Sequence, residues 1–480
     1  MSEILINVTP VETRIAFVEN GMLQEIYIER AQKRGLVGNI YRGKVMRMMP
    51  GMQAAFVDVG LDKAAFIHVA DIVGASADTP IHALLHEGKI ITVQVMKDPI
   101  STKGARLTSE LSLPSRYVVY TPMNDHIGVS QRIADEEERE RLRLSVQQAA
   151  NEQKIEGGFI VRTAAEGVND ADIKEDLFFL KKSWQQVREY EQKASSARLL
   201  YEELPLYLRI LRDIVRDDLE KIVIDDELVF DKAELFLSDF MPSIKHKIEL
   251  YVKERPLFDI YNIEDEIQKA LERKVVLKSG GYLVIDQTES MTTIDINTGA
   301  FVGSRTLEDT IFKTNLEAAT SLARQLRIRN LGGIIIIDFI DMEDPEHRRQ
   351  VLRFLEKALE KDNAKTKITG VSELGLVEMT RKRTRESLGQ LLCEPCSACH
   401  GKAIMKTAET ICYEMMREVL RLSKTYEACQ FRVVAAQTVV DRFLDEGAGY
   451  LADFEKAIGR SIIFQVEPLY MQEQYDVILS

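Results

Sequence analysis

The stretch Met291-Thr-Thr-Ile-Asp-Ile-Asn297, with its companion Leu331-Gly-Gly-Ile-Ile-Ile-Ile-Asp338, decides how this chain is read. In the first, Thr293 and Asp295 share one face of an extended strand, and Ile294 and Ile296 share the other. In the second, Ile334 to Ile337 reads as a fully buried strand that ends on Asp338. A carboxylate on an apolar strand is costly unless a charge or a metal compensates it. Two such acids at strand ends of one α/β unit can converge on a divalent cation that takes oxygen ligands. Asn297, two positions beyond Asp295, points the same way and can orient that carboxylate. The competing reading is a strand-end aspartate that caps a turn, and spacing alone does not separate the two.

Around this pair, residues 275 to 380 read as strand, strand, long helix, strand, helix, strand. The long helix is expected from Leu307 to Arg329, with Asn330-Leu331-Gly332 as its stop. Asp344-Pro345 offers a carboxylate N-cap followed by proline at the first helical position. Upstream, Thr13 to Val18 and Leu23 to Ile28 read as strands. From Gly38 to about residue 110, short strands punctuated by Gly43, Pro50-Gly51 and Gly60 predict a small OB-type barrel. Residues 117 to 163 predict strand, helix and strand, the helix announced by Asp135 to Glu140. Leu177, Leu180, Trp184 and Val187 then mark a long amphipathic helix. A small α/β tail follows the cysteines at 393 to 399.

The bulk properties bound the function. The 480 residues suggest about three domains and a substantial core. No apolar run approaches the roughly eighteen residues of a membrane span, and the best candidate, Gly333 to Ile340, contains Asp338. Met1 to Pro10 has no secretory pattern, and five cysteines are too few for a disulfide scaffold of this size, so a reducing, cytoplasmic address is expected. With 63 basic against 76 acidic residues the net charge is −13, so any polyanion must be held by local positive charge. Arg381, Lys382, Arg383 and Arg385 form one basic cluster and Arg324, Arg327 and Arg329 another, each read first as a solvated helix face or C-terminal cap.

Three further groups carry chemistry. Phe56 and Phe66, with Lys44, Arg47 and Lys103 nearby in the barrel region, can form a base-stacking platform beside positive charge, or can simply be core phenylalanines. Arg162-Thr163 ends a strand, where guanidinium and hydroxyl can together grip a phosphate. Cys393-Glu-Pro-Cys396-Ser-Ala-Cys399-His-Gly401 has the spacing at which thiolates chelate one tetrahedral zinc, and His400 is a further candidate ligand. Cys412 and Cys429 are isolated, so a four-sulfur site is completed most simply by a second copy of the chain, which predicts a zinc-linked homodimer.

The segment Gly280 to Gly299 resembles the catalytic region of the RNase E/G family. So do Thr314-Asn-Leu-Glu-Ala-Ala319, Ala323-Arg-Gln-Leu326 and Leu331 to Met342, and the resemblance extends from Asn7-Val-Thr-Pro10 to the C-terminal region. Within the family, Pro50-Gly-Met-Gln-Ala-Ala-Phe56 and the lack of a long Arg/Pro-rich stretch place the chain on the RNase G side. By that resemblance Asp295 and Asp338 are magnesium ligands, Asn297 positions Asp295, and Phe56, Phe66 and Lys103 contact RNA. Ile160-Val-Arg-Thr163 resembles a sensor for an RNA 5′-monophosphate, with Arg162, Thr163 and the backbone of Val119 in its pocket. Two positions depart from the RNase E pattern: Ser115 replaces a glycine, and Lys365 replaces an arginine, losing its planar fork. Alignment of Gly401 selects Cys396 and Cys399 as the family's zinc pair, with Ser397 in place of its proline and Cys393 as an extra candidate.

The resemblance implies an α/β multidomain chain. An RNase H-like scaffold at 1–36 and 207–270 is interrupted by an OB-fold RNA-binding barrel at 37–109 and a 5′-sensor and helical region at 110–206. A DNase I-like catalytic subdomain at 271–392, a zinc link at 393–406 and a small C-terminal α/β domain at 407–480 complete it. The expected activity is magnesium-dependent hydrolysis of single-stranded RNA, favouring 5′-monophosphorylated ends and leaving 3′-hydroxyl and 5′-phosphate. The implied substrates are the 16S ribosomal RNA precursor and messenger RNA. The implied assembly is a dimer sharing structural zinc, compatible with higher oligomers and with no membrane partner. Two other classes compete: a non-catalytic RNA-binding module, which would have no need of Asp295, Asn297 and Asp338, and a DNA-directed nuclease.

Overall fold

Six strands carry the two aspartates in one mixed sheet, in the spatial order Lys274–Val276, Tyr282–Gln287, Met291–Asn297, Gly333–Asp338, Val377–Arg381, Thr366–Val371. The central two run parallel, with Asp295 opposite Asp338, and the remaining pairs are antiparallel. The helices Leu307–Ile328 and Pro345–Leu359 contribute to one core with the inward residues of this sheet, including Ile294, Ile296, Ile335, Ile337, Leu322 and Leu355. Each such burial is worth roughly 1.5–3 kcal/mol over exposure. The long helix ends as its sequence implies: Asn330 takes the left-handed conformation at φ +48°, and the Leu331 N–H reaches back to the Leu326 carbonyl at 3.1 Å. Asp344 caps the next helix through its side chain on the Glu346 N–H, with Pro345 at the first position.

This computed structural model describes residues 2–76, 79–99, 104–194, 197–215, 219–242, 244–299, 307–372, 374–383, 385–399, 401–426 and 430–479. They divide into two units, Met1–Leu388 and Gly389–Ser480. In the first unit, the N-terminal meander Ser2–Val8, Glu12–Glu19, Met22–Arg30 gains two parallel strands on its free side, Lys221–Ile224 and Ile248–Leu250. Asp225 fastens this join by accepting from the Asn7 side chain at 2.7 Å and the Val8 N–H at 2.8 Å.

Between these halves lies a closed five-stranded barrel. Ile40–Met49 pairs with Ala54–Asp58, which pairs with Ala65–His68; that strand runs parallel to Arg106–Thr108, which pairs with Ile90–Lys97, and the last strand returns to Ile40–Met49. This is the OB-like barrel expected from the turn spacing, and closure leaves it no free edge. A four-stranded sheet follows, in the order Ile127–Val129, Gly158–Val161, Val118–Thr121, Leu113–Pro114, packed with the helices Glu136–Gln153 and Asp170–Lys193. The second unit is a three-stranded sheet, Ser461–Val466, Gln430–Ala435, Tyr475–Leu479, sharing a core with the helices Ala408–Thr425 and Gln437–Ile458. Among the described residues no helix is long and apolar enough to cross a membrane.

Three expectations need correction. The strand Gly333–Asp338 is not fully buried: Ile335 and Ile337 are at 0% exposure, but Ile334 is at 48%, because helices cover only one face of the sheet. The second basic cluster is neither a solvated face nor a cap. Arg324 donates to the Leu23 carbonyl and pairs with Glu266, Arg327 pairs with Glu25, and Arg329 donates to the Glu272 carbonyl. In the first cluster Arg381 is buried against Asp362, Arg383 donates to the Gly332 carbonyl, and Arg385 stacks on Tyr27 at 3.8 Å while donating to the Ile26 carbonyl. These arginines bind the six-stranded sheet internally and to the strand Met22–Arg30.

Candidate functional site

Asp295 and Asp338 are exposed residues at the ends of adjacent parallel strands, directly in register on the face that no helix covers. The alternation that sends Thr292, Ile294 and Ile296 into the core necessarily sends Thr293 and Asp295 outward. Neither acid is enclosed, since this face of the sheet opens on solvent. Electrostatic crowding nonetheless persists. Partial burial pushes the Asp338 carboxyl above its ordinary range, and the negative charges of Asp295 and Asp341 push it further. Asn297 donates from Nδ2 to Asp295 Oδ2 at 2.8 Å, fixing that carboxylate.

This donor set suits magnesium, which binds through one or two carboxylates and keeps several waters. Among the described residues no cluster of three His, Cys, Asp or Glu side chains stands ready to enclose a metal. A dication there would relieve the repulsion that raises Asp338.

On the barrel, Phe56 and Phe66 face each other across adjacent strands, with ring centroids 6.3 Å apart in an edge-to-face arrangement. Their strand neighbours Ala55, Val57, Ala65 and Ile67 fill the barrel core, so both rings point outward. They are not core phenylalanines. The register extends the row to Arg47 on one side and Arg106 on the other, the latter held by Asp71 through Nε at 2.9 Å. Lys44 is exposed opposite Asp58. Lys103 lies outside the described residues.

Val119 lies on the strand Val118–Thr121 of the four-stranded sheet, and Arg162 and Thr163 follow directly on its neighbour Gly158–Val161. Arg162 donates from Nη1 to the Ser115 carbonyl at 2.7 Å and lies 2.7 Å from Asp213 Oδ1, while its N–H bonds the Tyr117 carbonyl. Burial pushes the Asp213 carboxyl up, but the Arg212 and Arg162 guanidiniums outweigh that and hold it below its ordinary range. Thr163 shares a hydroxyl contact of 2.9 Å with Ser130, and Val119 lies opposite Ile160 on the neighbouring strand. The departure at Ser115 has a structural role: its hydroxyl donates to Asp176 Oδ1 at 2.5 Å. Asp176 also accepts from the N–H groups of Tyr117 and Val118, and so moulds the turn carrying the carbonyl that Arg162 holds. Sequence reading missed Asp176 because an acid in the middle of a charged helix resembles a solvated one. Lys365, the other departure, is exposed beside the strand Thr366–Val371.

In the second unit Cys393 and Cys396 are exposed and Cys399 is half-buried. The Cys396 thiol accepts from the backbone N–H of Cys399 and of Ala398, which lowers its pKa. Such N–H donors stabilise a thiolate, the form that binds zinc. His400 and Cys429 lie outside the described residues. Cys412 is buried, burial raises its pKa, and its sulfur contacts the Val439 carbonyl, a packing role.

The chain matches the model of the Ribonuclease E/G family over residues 112–384. It is 52% identical to Ribonuclease G of Escherichia coli (strain K12) over 489 aligned residues, covering 100% of this chain and 99% of that protein. Ribonuclease G of Haemophilus influenzae is likewise 52% identical, with 99% of each chain covered. Ribonuclease E of Escherichia coli (strain K12) is 36% identical over 428 residues, covering 87% of this chain but 40% of that protein. The paired acids, the closed barrel and the matched core thus lie in one continuous similarity, and the chain belongs to the ribonuclease E/G family.

Proposed function

We propose that this protein is a magnesium-dependent endoribonuclease acting on single-stranded RNA. The observation that carries the reading is the in-register pair Asp295 and Asp338 on the open face of the sheet, with Asn297 holding the first. The names of the relatives, ribonucleases G and E, supply the substrate class. Asp295 and Asp338 would hold the ion, which when bound lowers the pKa of a water and offsets charge on the phosphate. Attack of a water on phosphorus, with cleavage of the bond to the 3′ oxygen, would leave a 3′-hydroxyl on one product and a 5′-phosphate on the other.

The finer reading rests on the other groups. The outward pair Phe56 and Phe66, with Lys103, stacks bases and holds the strand; Arg162, Thr163 and the Val119 backbone receive a 5′-monophosphate and favour substrates that carry one. The RNase H-like and DNase I-like labels follow the family. Cys396 and Cys399 of two chains share one structural zinc, giving a cytoplasmic homodimer. Maturation of the 16S ribosomal RNA 5′ end and messenger decay are the roles that fit.

The test is incubation of the purified protein with a 5′-monophosphorylated single-stranded RNA, with magnesium or with EDTA, beside Asp295→Ala. Internal cleavage that needs magnesium and disappears in the variant is expected. A folded dimer that cuts none of several RNAs would overturn the catalytic claim in favour of a binding module.

A further inference from the structure

The open face that carries the acids also carries one aromatic ring. Tyr282 lies opposite Asn297 on the neighbouring antiparallel strand, so the two side chains share a face with their Cβ atoms about 5 Å apart. Asp295 is the diagonal neighbour of Tyr282, two residues along the Asn297 strand. Among the described residues, no other aromatic belongs to the six strands of this sheet. Tyr282 is half-buried: its ring edge rests against the turn at Gly299, where an added Cβ would lie 3.4 Å from Cδ1. Beside it on the outer strand Val276 is 72% exposed, a bare apolar neighbour. Lys274, on the same strand, places its ammonium 3.8 Å from the ring centroid. The register also sets Lys274 in the row Lys274, Val284, Asp295, Asp338, two strand spacings or about 10 Å from the first acid.

We infer that Tyr282 and Lys274 form a nucleotide subsite beside the catalytic acids, in which Tyr282 stacks one base of the bound strand and Lys274 contacts its phosphate. The inference rests on the endoribonuclease reading above. In the free protein the lysine caps the ring, an exposed cation–π contact that is weaker than stacking of a base. An incoming base therefore takes the ring face, and the flexible lysine stem moves its charge onto the backbone. Stacking accepts any base, so the subsite positions the strand across Asp295 and Asp338 without demanding a sequence.

Single-stranded RNAs with one 5-iodouridine at successive positions around the cleaved bond test this directly. Irradiated with an Asp338→Asn protein, expected to hold RNA without cutting it, they should crosslink to Tyr282 from one position only. In the otherwise native enzyme, Tyr282→Leu is expected to lower kcat/KM about tenfold, mostly through KM, and Tyr282→Phe to recover most of the loss. An abasic residue at the crosslinking position should slow the native enzyme but make no further difference to Tyr282→Leu. Lys274→Gln should flatten the salt dependence of binding by about one charge. If the native protein cuts RNA, yet Tyr282→Leu cuts equally well and no crosslink reaches Tyr282, the subsite is overturned and the endoribonuclease stands. If no RNA is cut, the endoribonuclease reading fails, and the crosslink alone decides: at Tyr282 the face is still an RNA site, elsewhere it is not. Should Tyr282→Leu misfold by circular dichroism, the crosslink to the unaltered ring remains decisive.

Discussion

Asn297 holds Asp295 by a hydrogen bond, Nδ2 to Oδ2 at 2.8 Å, while Asp295 stands in register with Asp338 on the adjacent parallel strand. Losing a partner that orients a metal ligand typically costs 10–100-fold in metal affinity or activity, that is ~1.4–2.7 kcal/mol. Asn297→Ala is therefore expected to lower kcat by roughly that factor and to raise the magnesium concentration needed, with little change in KM for RNA. A loss confined to KM would make Asn297 an RNA contact instead.

Because Phe56 and Phe66 point away from the barrel core, their removal separates binding from stability. Each change to alanine should weaken single-stranded RNA binding by about 1–3 kcal/mol, read by fluorescence anisotropy, while the melting temperature stays near that of the parent. A fall of many degrees would return both rings to a packing role.

Burial pushes Asp176 up to about 6 from an ordinary 3.8, despite the Ser115 hydroxyl and the N–H groups that favour its charge. Between those values the folded chain keeps a proton that the unfolded chain has released. The stability this group contributes is thus full below pH 4 and is lost as pH rises through 6, about 3 kcal/mol in all. Asp176→Asn cannot titrate. Urea unfolding of the two proteins should show their stability difference changing by most of that amount from pH 4 to pH 7, in favour of the variant as pH rises. A constant difference would sink the assignment.

Arg381 and Asp362 form a buried bidentate pair at 2.7 and 3.0 Å, and Arg381 also donates to Asn330 and to the Leu331 carbonyl. Asp362→Ala leaves a guanidinium buried without its counter-charge, which costs about 3–5 kcal/mol. The denaturant midpoint should fall accordingly with its slope unchanged. The salt dependence of RNA binding should not move, because this arginine never reaches solvent.

For the cysteines, metal analysis with sedimentation distinguishes the ligands. Cys396→Ser and Cys399→Ser are expected to lose zinc and yield monomers, whereas Cys393→Ser keeps one zinc per two chains. Loss of zinc in the Cys393 variant as well would enlarge the ligand set.

What was legible in the sequence is what local chemistry dictates. Asp344-Pro345 and Asn330 mark helix ends through capping and left-handed geometry that depend on nothing distant. The acids were found because alternation alone sends Asp295 opposite to Ile294 and Ile296. The strand Ile127–Val129 was not: three residues with a central glycine carry no period, and it exists only because Gly158–Val161 lies beside it. The destinations of Arg327 and Arg385 were equally hidden, since Glu25 and Tyr27 lie more than three hundred residues away in the chain. Only the register sets Tyr282 beside Asn297.

The pairing of Ser2–Val8 with Lys221–Ile224 has a consequence for birth on the ribosome. At about 5–20 residues per second, the first strand waits roughly 10–40 s for its parallel partner to be synthesised. Meanwhile the barrel, whose five strands find all their closing partners among themselves, can complete itself. The nascent chain therefore carries a finished barrel beside an open hairpin edge, the kind of edge that invites pairing with other chains. The order of synthesis thus completes the barrel first and leaves one edge of the strand Ser2–Val8 without its neighbour until Lys221–Ile224 has emerged.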